Sequence, residues 1–203
     1  MTIVVETCGV ECVTTVEELV SLSMSWFHGY YARSCLEAGI CKAVIVKVGE
    51  ESVGSGLYYK VTIEPQPLGV IYYVVVKDVF RGLGYGKVIV SSIEELLSQD
   101  GVRYFIATTR KANNPSINMF RSLGYLAVEL STLGDLLEVI RYITCGYDDD
   151  VLLIKGELVE NVEDVKLVIR QLIKSRRNMS IVKNLWERIC HEPWVNLRKR
   201  TAP

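Results

Sequence analysis

Leu68-Gly69-Val70-Ile71-Tyr72-Tyr73-Val74-Val75-Val76, followed after four intervening residues by Arg81-Gly82-Leu83-Gly84-Tyr85-Gly86-Lys87, decides the reading of this chain. The first run is nearly continuous apolar and aromatic, with β-branched residues prominent, which predicts a central strand covered on both faces. The second places three glycines in five positions directly after that strand. Successive backbone N–H groups can converge there without obstruction by Cβ atoms, which makes an anion cradle. Ile89, Ile93, Leu96 and Leu97 then recur at helical spacing, so a helix starts at the glycines and its unpaired first amides and positive dipole end face the same point. Arg81 and Lys87 can add full charge. This strand, glycine turn and helix suits a pyrophosphate.

It is neither of two common phosphate-binding loops. The preceding strand does not open a βαβ unit with an acidic residue ending the next strand, so the dinucleotide fingerprint is absent. The Gly-Lys-Ser/Thr ending and four-residue spacer of a nucleotide-phosphate loop are missing as well.

Upstream, Thr15 followed by Glu18 reads as a capping box, and helices are expected over roughly 15–39. Residues 43–48 and 53–63 read as paired strands around the loop Gly49-Glu50-Glu51-Ser52, and Pro65 and Pro67 interrupt regular structure before the central strand. Downstream, Gly101 sits where a helix-ending glycine belongs, 103–109 reads as a strand, 115–123 as a helix closed by Gly124, and 125–130 as another strand. Residues 132–142 are ambiguous between helix and strand and are read as a helical insertion before a last strand at 151–158. Beyond Asn161, a plausible N-cap, two apolar stripes predict two amphipathic helices, Val162 to Ile173 and Ile181 to Ile189. The expected division is therefore a domain over 1–158 and a basic helical extension over 159–203 packed on it.

With 203 residues and 49% apolar content, the chain can bury one good core. No apolar run approaches the ~20 residues that span a bilayer, and the N-terminus lacks a basic leader with an apolar stretch, so a cytoplasmic location without membrane association is expected. From Lys166 onward, ten Lys or Arg face only Glu187 and Glu192, so the tail carries +8 and, with the chain at −1, the remainder −9. An acidic body attracts cationic amines. The tail suits packing on that body, RNA or an acidic protein, and the apolar stripes leave a homodimer as an alternative use. The six cysteines contain no CxxC pair and only His28 and His191 could join them, so no metal site is expected, and reduced thiols are favoured over bridges in the cytosol.

The segment from Val76 to Gly86 resembles the acyl-CoA-binding signature of the GCN5-related N-acetyltransferase (GNAT) superfamily. Asn113-Asn114-Pro115-Ser116-Ile117-Asn118-Met119-Phe120-Arg121-Ser122-Leu123-Gly124-Tyr125 resembles that superfamily's next motif, at the expected distance. The resemblance covers about residues 1–158 and is strong from 70 to 125. It implies an α/β fold with a mixed, mostly antiparallel central sheet flanked by helices. It also implies acetyl-CoA as the coenzyme: the backbone of Val74, Val75 and Val76 would meet pantetheine, the amides from Arg81 through Gly82, Leu83, Gly84, Tyr85 and Gly86 to Lys87 would hold the pyrophosphate, and Asn113, Ser116 and Phe120 would line the other side.

The implied reaction is direct transfer of the acetyl group to a primary amine, of a small molecule or polyamine or of a protein. A lysine amine has pKa about 10.4, so a base must take its proton before attack. Members of the superfamily often carry a tyrosine as general acid where this chain has Phe120, and its N-terminal acetyltransferases often carry a base where this chain has Thr108. A thiolate is a tolerable leaving group near pKa 8.5, so the first departure is not fatal. Glu64 and Tyr73, with Tyr72 beside it, are the acid–base candidates, each with a plain alternative as a loop or sheet-face residue. His28, within Trp26-Phe27-His28-Gly29-Tyr30-Tyr31, is a candidate to line the acceptor site. The readings left open are a small-amine acetyltransferase, a protein or N-terminal acetyltransferase, and a non-catalytic acyl-CoA-binding or regulatory module.

Overall fold

The computed structural model describes residues 2–201. Strands β1 (Ile3–Cys8), β2 (Lys42–Val48), β3 (Glu51–Val61), β4 (Leu68–Val76), β5 (Tyr104–Thr109), β6 (Leu126–Glu129) and β7 (Val151–Gly156) form one sheet in the order β1-β2-β3-β4-β5-β7-β6. Pairing is antiparallel for β1–β2, β2–β3, β5–β7 and β6–β7. β4 and β5 run parallel through Leu68–Tyr104, Gly69–Phe105 and Val70–Ile106. The helices are α1 (Val13–Ser23), α2 (Trp26–Glu37), α3 (Tyr85–Gln99), α4 (Asn114–Ser122), α5 (Leu137–Thr144), α6 (Val162–Ile173), α7 (Arg176–Trp186) and α8 (Glu192–Thr201). Among the described residues no helix is long and apolar enough to cross a membrane.

The chain divides into two compact units. The first takes the residues up to Tyr59, Ile71–Glu95 and those from Glu187 on, and the second takes Lys60–Val70 and Leu96–Trp186.

In the first unit, the apolar stripe of α3 explains its place: Ile89, Val90 and Ile93 are wholly buried. Two glycines of β3 make room for them. A side chain at Gly54 would come 3.1 Å from Ile89 Cδ1, and one at Gly56 would come 2.7 Å from Ile93 Cδ1. Burying each of those isoleucines contributes roughly 1.5–3 kcal/mol, which a methyl at Gly56 would partly forfeit. α1 and α2 pack together with Val16, Leu19, Val20, Tyr31, Ala32, Cys35 and Leu36 inside.

In the second unit, Phe105, Ile106 and Ala107 of β5 face a partner strand whose Leu152, Leu153 and Ile154 are also buried, as expected for a strand covered on both sides. Leu133, Leu136, Ile140 and Ile143, and Val165, Ile169 and Leu172 of α6, complete this core. α6 opens on Asn161, whose Oδ1 accepts from the amides of Glu163 and Asp164 while Asp164 answers the Asn161 amide, a full capping box. Gly101 ends α3 at φ +83°.

Four expectations need correction. α1 starts at Val13, because a 3₁₀ turn over Val10–Cys12 runs straight into it, so Thr15 is already helical and the Thr15–Glu18 box does not form. The hairpin loop shrinks to Gly49-Glu50, with Gly49 at φ +62°, so β3 begins at Glu51. The tail holds three helices rather than two, since a π turn over Glu187–His191 separates α7 from α8. The cysteines are bridged: Cys8 pairs with Cys12 and Cys35 with Cys41, and among the described residues none is free. The expectation against bridges rests on compartment alone, but sequence separations of 4 and 6 let local turns bring these thiols together. The ambiguous stretch is helical, a 3₁₀ segment over Leu130–Leu136 broken at Gly134 and then α5.

Candidate functional site

The turn between β4 and α3 lies in the first unit. β4 ends at Val76, the Lys77 amide donates to the Val53 carbonyl, and a 3₁₀ turn covers Asp78–Phe80. The Arg81 amide closes that turn on the Asp78 carbonyl at 3.2 Å. The Arg81 side chain braces the loop from within: its Nε donates to the Val76 carbonyl at 3.1 Å, and a terminal nitrogen lies 2.8 Å from Asp78 Oδ1. Gly82 and Gly84 sit at φ +78° and +91° with open space where side chains would stand. Backbone conformation, not crowding, demands glycine at both.

Among the described residues, no amide from Gly82 through Gly86 donates to a protein acceptor, whereas the Lys87 and Val88 amides turn back onto the Gly84 carbonyl. Five successive free donors at a helix start, beside Lys87 with no ion partner among the described residues, are what a multiply charged anion needs. The residues therefore fit the diphosphate of coenzyme A. Val75 of β4 is buried, and Val74 and Val76 are partly so.

Also in the first unit, Tyr73 stands in a chain of rings. Its centroid is 4.3 Å from that of Tyr72 and 5.8 Å from that of His28, and Phe27 continues the row to Tyr31 at 4.8 Å. His28 Nδ1 is held 2.7 Å from Ser25 Oγ, the N-cap of α2. Tyr59 stacks edge-on to Tyr72 at 5.7 Å. Burial, foremost, pushes the phenols of Tyr59 and Tyr72 well above their ordinary value, and it pushes Tyr31 up to about 12.

The other residues singled out from sequence belong to the second unit. Asn113 N-caps α4, accepting from the Ser116 amide at 3.4 Å and donating from Nδ2 to Thr109 Oγ1 at 3.1 Å. Phe120 is buried against Tyr125, with ring centroids 4.8 Å apart at 81°. Glu64 lies in the loop before β4, three-quarters exposed, with Oε1 3.2 Å from Arg177.

One group escaped the sequence reading. Thr108, near the end of β5, is approached by the turn that leads into β7. A side chain at Gly146 would strike the Thr108 hydroxyl and come 2.6 Å from Asp149 Oδ2, so both oxygens border the slot the glycine leaves. Burial raises the Asp149 carboxyl above the ordinary aspartate range, against the Thr108 hydroxyl and the Arg110 guanidinium, which lower it. In the sequence, Asp148-Asp149-Asp150 looks like a solvated turn, and nothing in three identical residues marks the middle one.

A family profile described as the Acetyltransferase (GNAT) family matches residues 15–125. The fold is that of GNAT acetyltransferases, and the chain belongs to this family. A GNAT-family protein from Desulfovibrio desulfuricans superposes with TM-score 0.58 at 13% identity, over 76% of this chain and 99% of its own. A NatC complex bound to Gag peptide and CoA gives TM-score 0.56 at 15% identity, over 77% and 99%. The aminoglycoside N-acetyltransferase AAC(6')-Iy in complex with CoA gives 0.53 at 14%, over 61% and 87%. Comparison with curated protein sequences returns no match.

Proposed function

We propose that this chain is an acetyl-CoA-dependent N-acetyltransferase acting on a primary amine. The observation that carries the reading is the run of five unbonded amides from Gly82 to Gly86, after a buried strand and at the start of α3. In this reading Arg81 shapes the loop, the amides from Gly82 to Gly86 hold the diphosphate with Lys87, and the backbone of Val74, Val75 and Val76 takes the pantetheine arm. Asn113, Ser116 and Phe120 complete the cofactor-binding set by resemblance. Bound acetyl-CoA supplies the acetyl thioester. Residues 1–158 form the transferase domain, and 159–203 its basic extension.

Tyr73 is a phenol, suited to giving a proton, and the ring row from Phe27 to Tyr73 supplies an aromatic wall for the acceptor. Glu64 is the carboxylate the sequence singled out, although its ion pair with Arg177 and its exposure suit a solvated role equally.

Calorimetric titration with coenzyme A, followed by release of free thiol from acetyl-CoA across spermidine and short peptides, tests the proposal. Binding with amine-dependent thiol release is expected. Binding without release would mark a non-catalytic acyl-CoA module, and no binding would end the reading altogether.

A further inference from the structure

Strand β1 closes one end of the sheet order and pairs with β2 alone. All of it lies in the first unit. Its residues from Ile3 to Thr7 are exposed on both faces, and only Cys8 is half-buried. Ile3 is 51% exposed and Val4 and Val5 are 40% exposed each, so three consecutive large apolar side chains stand in water on a strand edge.

Sheet edges invite pairing with other chains, and proteins blunt them with proline, lysine, a bulge or a short strand. β6, at the other end of the order, is short: it has four residues and runs straight into the 3₁₀ segment at Leu130. β1 has none of these devices. It contains no proline or lysine, and its register with β2 is unbroken from Ile3–Val48 to Cys8–Ala43. Its one charged residue, Glu6, is drawn back onto Lys47 Nζ at 2.7 Å.

The ladder fixes which backbone groups the edge offers. The Gly49 amide donates to the Thr2 carbonyl, one rung beyond Ile3–Val48. Bonded and non-bonded pairs alternate in an antiparallel ladder, so Val4, Glu6 and Cys8 direct their N–H and C=O groups to β2. Ile3, Val5 and Thr7 turn theirs outward, where no strand among the described residues receives them. An extended strand is the occupant that answers such a row of donors and acceptors.

We propose that this occupant is β1 of a second copy of the chain, paired antiparallel about a two-fold axis at Val5. In that register Val5 stands opposite Val5 of the second copy, Ile3 opposite its Thr7, and Val4 opposite its Glu6. All three outward residues fall in bonded pairs, which gives about six backbone hydrogen bonds between the copies. The charge pattern fits the same occupant. No carboxylate meets a carboxylate, because each Glu6 faces a valine and keeps its own Lys47. Ile3 and Val5 share a face with Val48 and Val46 of β2, so the axis continues one apolar stripe from each copy into the other. The contact uses the same patch on both copies and therefore stops at a dimer. It is independent of the acetyltransferase reading, which concerns β4 and α3.

Sedimentation velocity of the full chain from about 1 to 200 µM is expected to show a concentration-dependent dimer and nothing larger. Hydrogen exchange is expected to find the Ile3, Val5 and Thr7 amides protected at the upper concentration and open at the lower. Val5→Lys sets like charges across the axis and should weaken association at least about 100-fold. Val5→Pro removes the central outward donor without touching the β1–β2 ladder and should weaken association at least about tenfold. Leu22→Lys, which places a charge on an apolar side chain 79% exposed on α1, should dimerise as the wild type does. Circular dichroism checks the fold of each variant, and Val5→Lys decides where Val5→Pro does not fold. A wild type that is monomeric throughout would overturn the proposal and leave the edge to a strand of another protein. Oligomers beyond the dimer, a dimer that survives both Val5 substitutions, or one that Leu22→Lys also disrupts would overturn it as well.

Discussion

The side chain of Asn178 holds both backbone groups of Glu64, 114 residues earlier: Nδ2 donates to the Glu64 carbonyl at 2.6 Å and Oδ1 accepts its amide at 3.3 Å. The same Nδ2 donates to the Leu172 carbonyl at 2.6 Å, and Asn178 is 2% exposed. Replacing it with alanine would strand three backbone groups, two of them carbonyls that lose short bonds. Asn178→Ala should cost about 2–4 kcal/mol in urea unfolding. A loss below about 0.5 kcal/mol would mean that water replaces the amide and that the bonds are incidental.

Gly84 tests the loop. At φ +91°, with nothing within 4 Å of the position a methyl would take, a substitution meets no neighbour, so its effect must come through the backbone. Gly84→Val should strain the turn by roughly 1–3 kcal/mol, scatter the free amides, and weaken coenzyme A binding at least tenfold in calorimetry. Unchanged affinity with intact fold would show that the amides do not hold the ligand.

Gly56 tests the sheet. A methyl there would meet Ile93 Cδ1 at 2.7 Å and crowd Ile89 Cγ2, both on the wholly buried stripe of α3. Gly56→Ala should destabilise by about 1–3 kcal/mol in chemical denaturation. Neutral behaviour would imply that α3 can lift from β3 without loss.

What was legible in the sequence follows a physical pattern. β4, α3 and α4 carried strong signals, because a strand buried on both faces, a 3.6-residue apolar stripe and helix-ending glycines at 101 and 124 each leave a local mark. The glycine turn was legible for the same reason, since positive φ at 82 and 84 almost requires glycine. What escaped notice depends on tertiary placement. Thr15–Glu18 has the letters of a cap, but only the preceding 3₁₀ turn decides that the helix starts at Val13. Nothing local separates Asp149 from Asp148 and Asp150. Its role in the slot is set by Thr108, 41 residues earlier, and by the absence of a side chain at Gly146.

The bridge between Cys35 and Cys41 closes a loop at the end of α2, where Cys35 is 1% exposed and Cys41 3%. So short a loop removes little chain entropy, and joint replacement by serine should cost roughly 2 kcal/mol from loop closure, plus the burial of two hydroxyls. Thermal unfolding of Cys35→Ser/Cys41→Ser against the wild type, without reductant, measures it. Equal stability would show that the bridge does not constrain the unfolded chain.

Asp149 makes a stability prediction whose sign separates a carboxylate buried at a cost from one that holds its turn together. Burial raises its pKa above the unfolded value, so the native state binds the proton more readily than the unfolded chain does. Between the ordinary aspartate value and the raised native one, stability therefore falls as pH rises, and above the native value the full penalty is present. Asparagine keeps the shape and can still bond Thr108 without the charge. Asp149→Asn should thus be more stable than the wild type at pH 7, with the gain vanishing as pH drops below the ordinary aspartate range. Thermal melts from pH 3 to 8 check this. If the carboxylate instead holds the turn together through the Thr108 hydroxyl, the variant would lose stability at neutral pH.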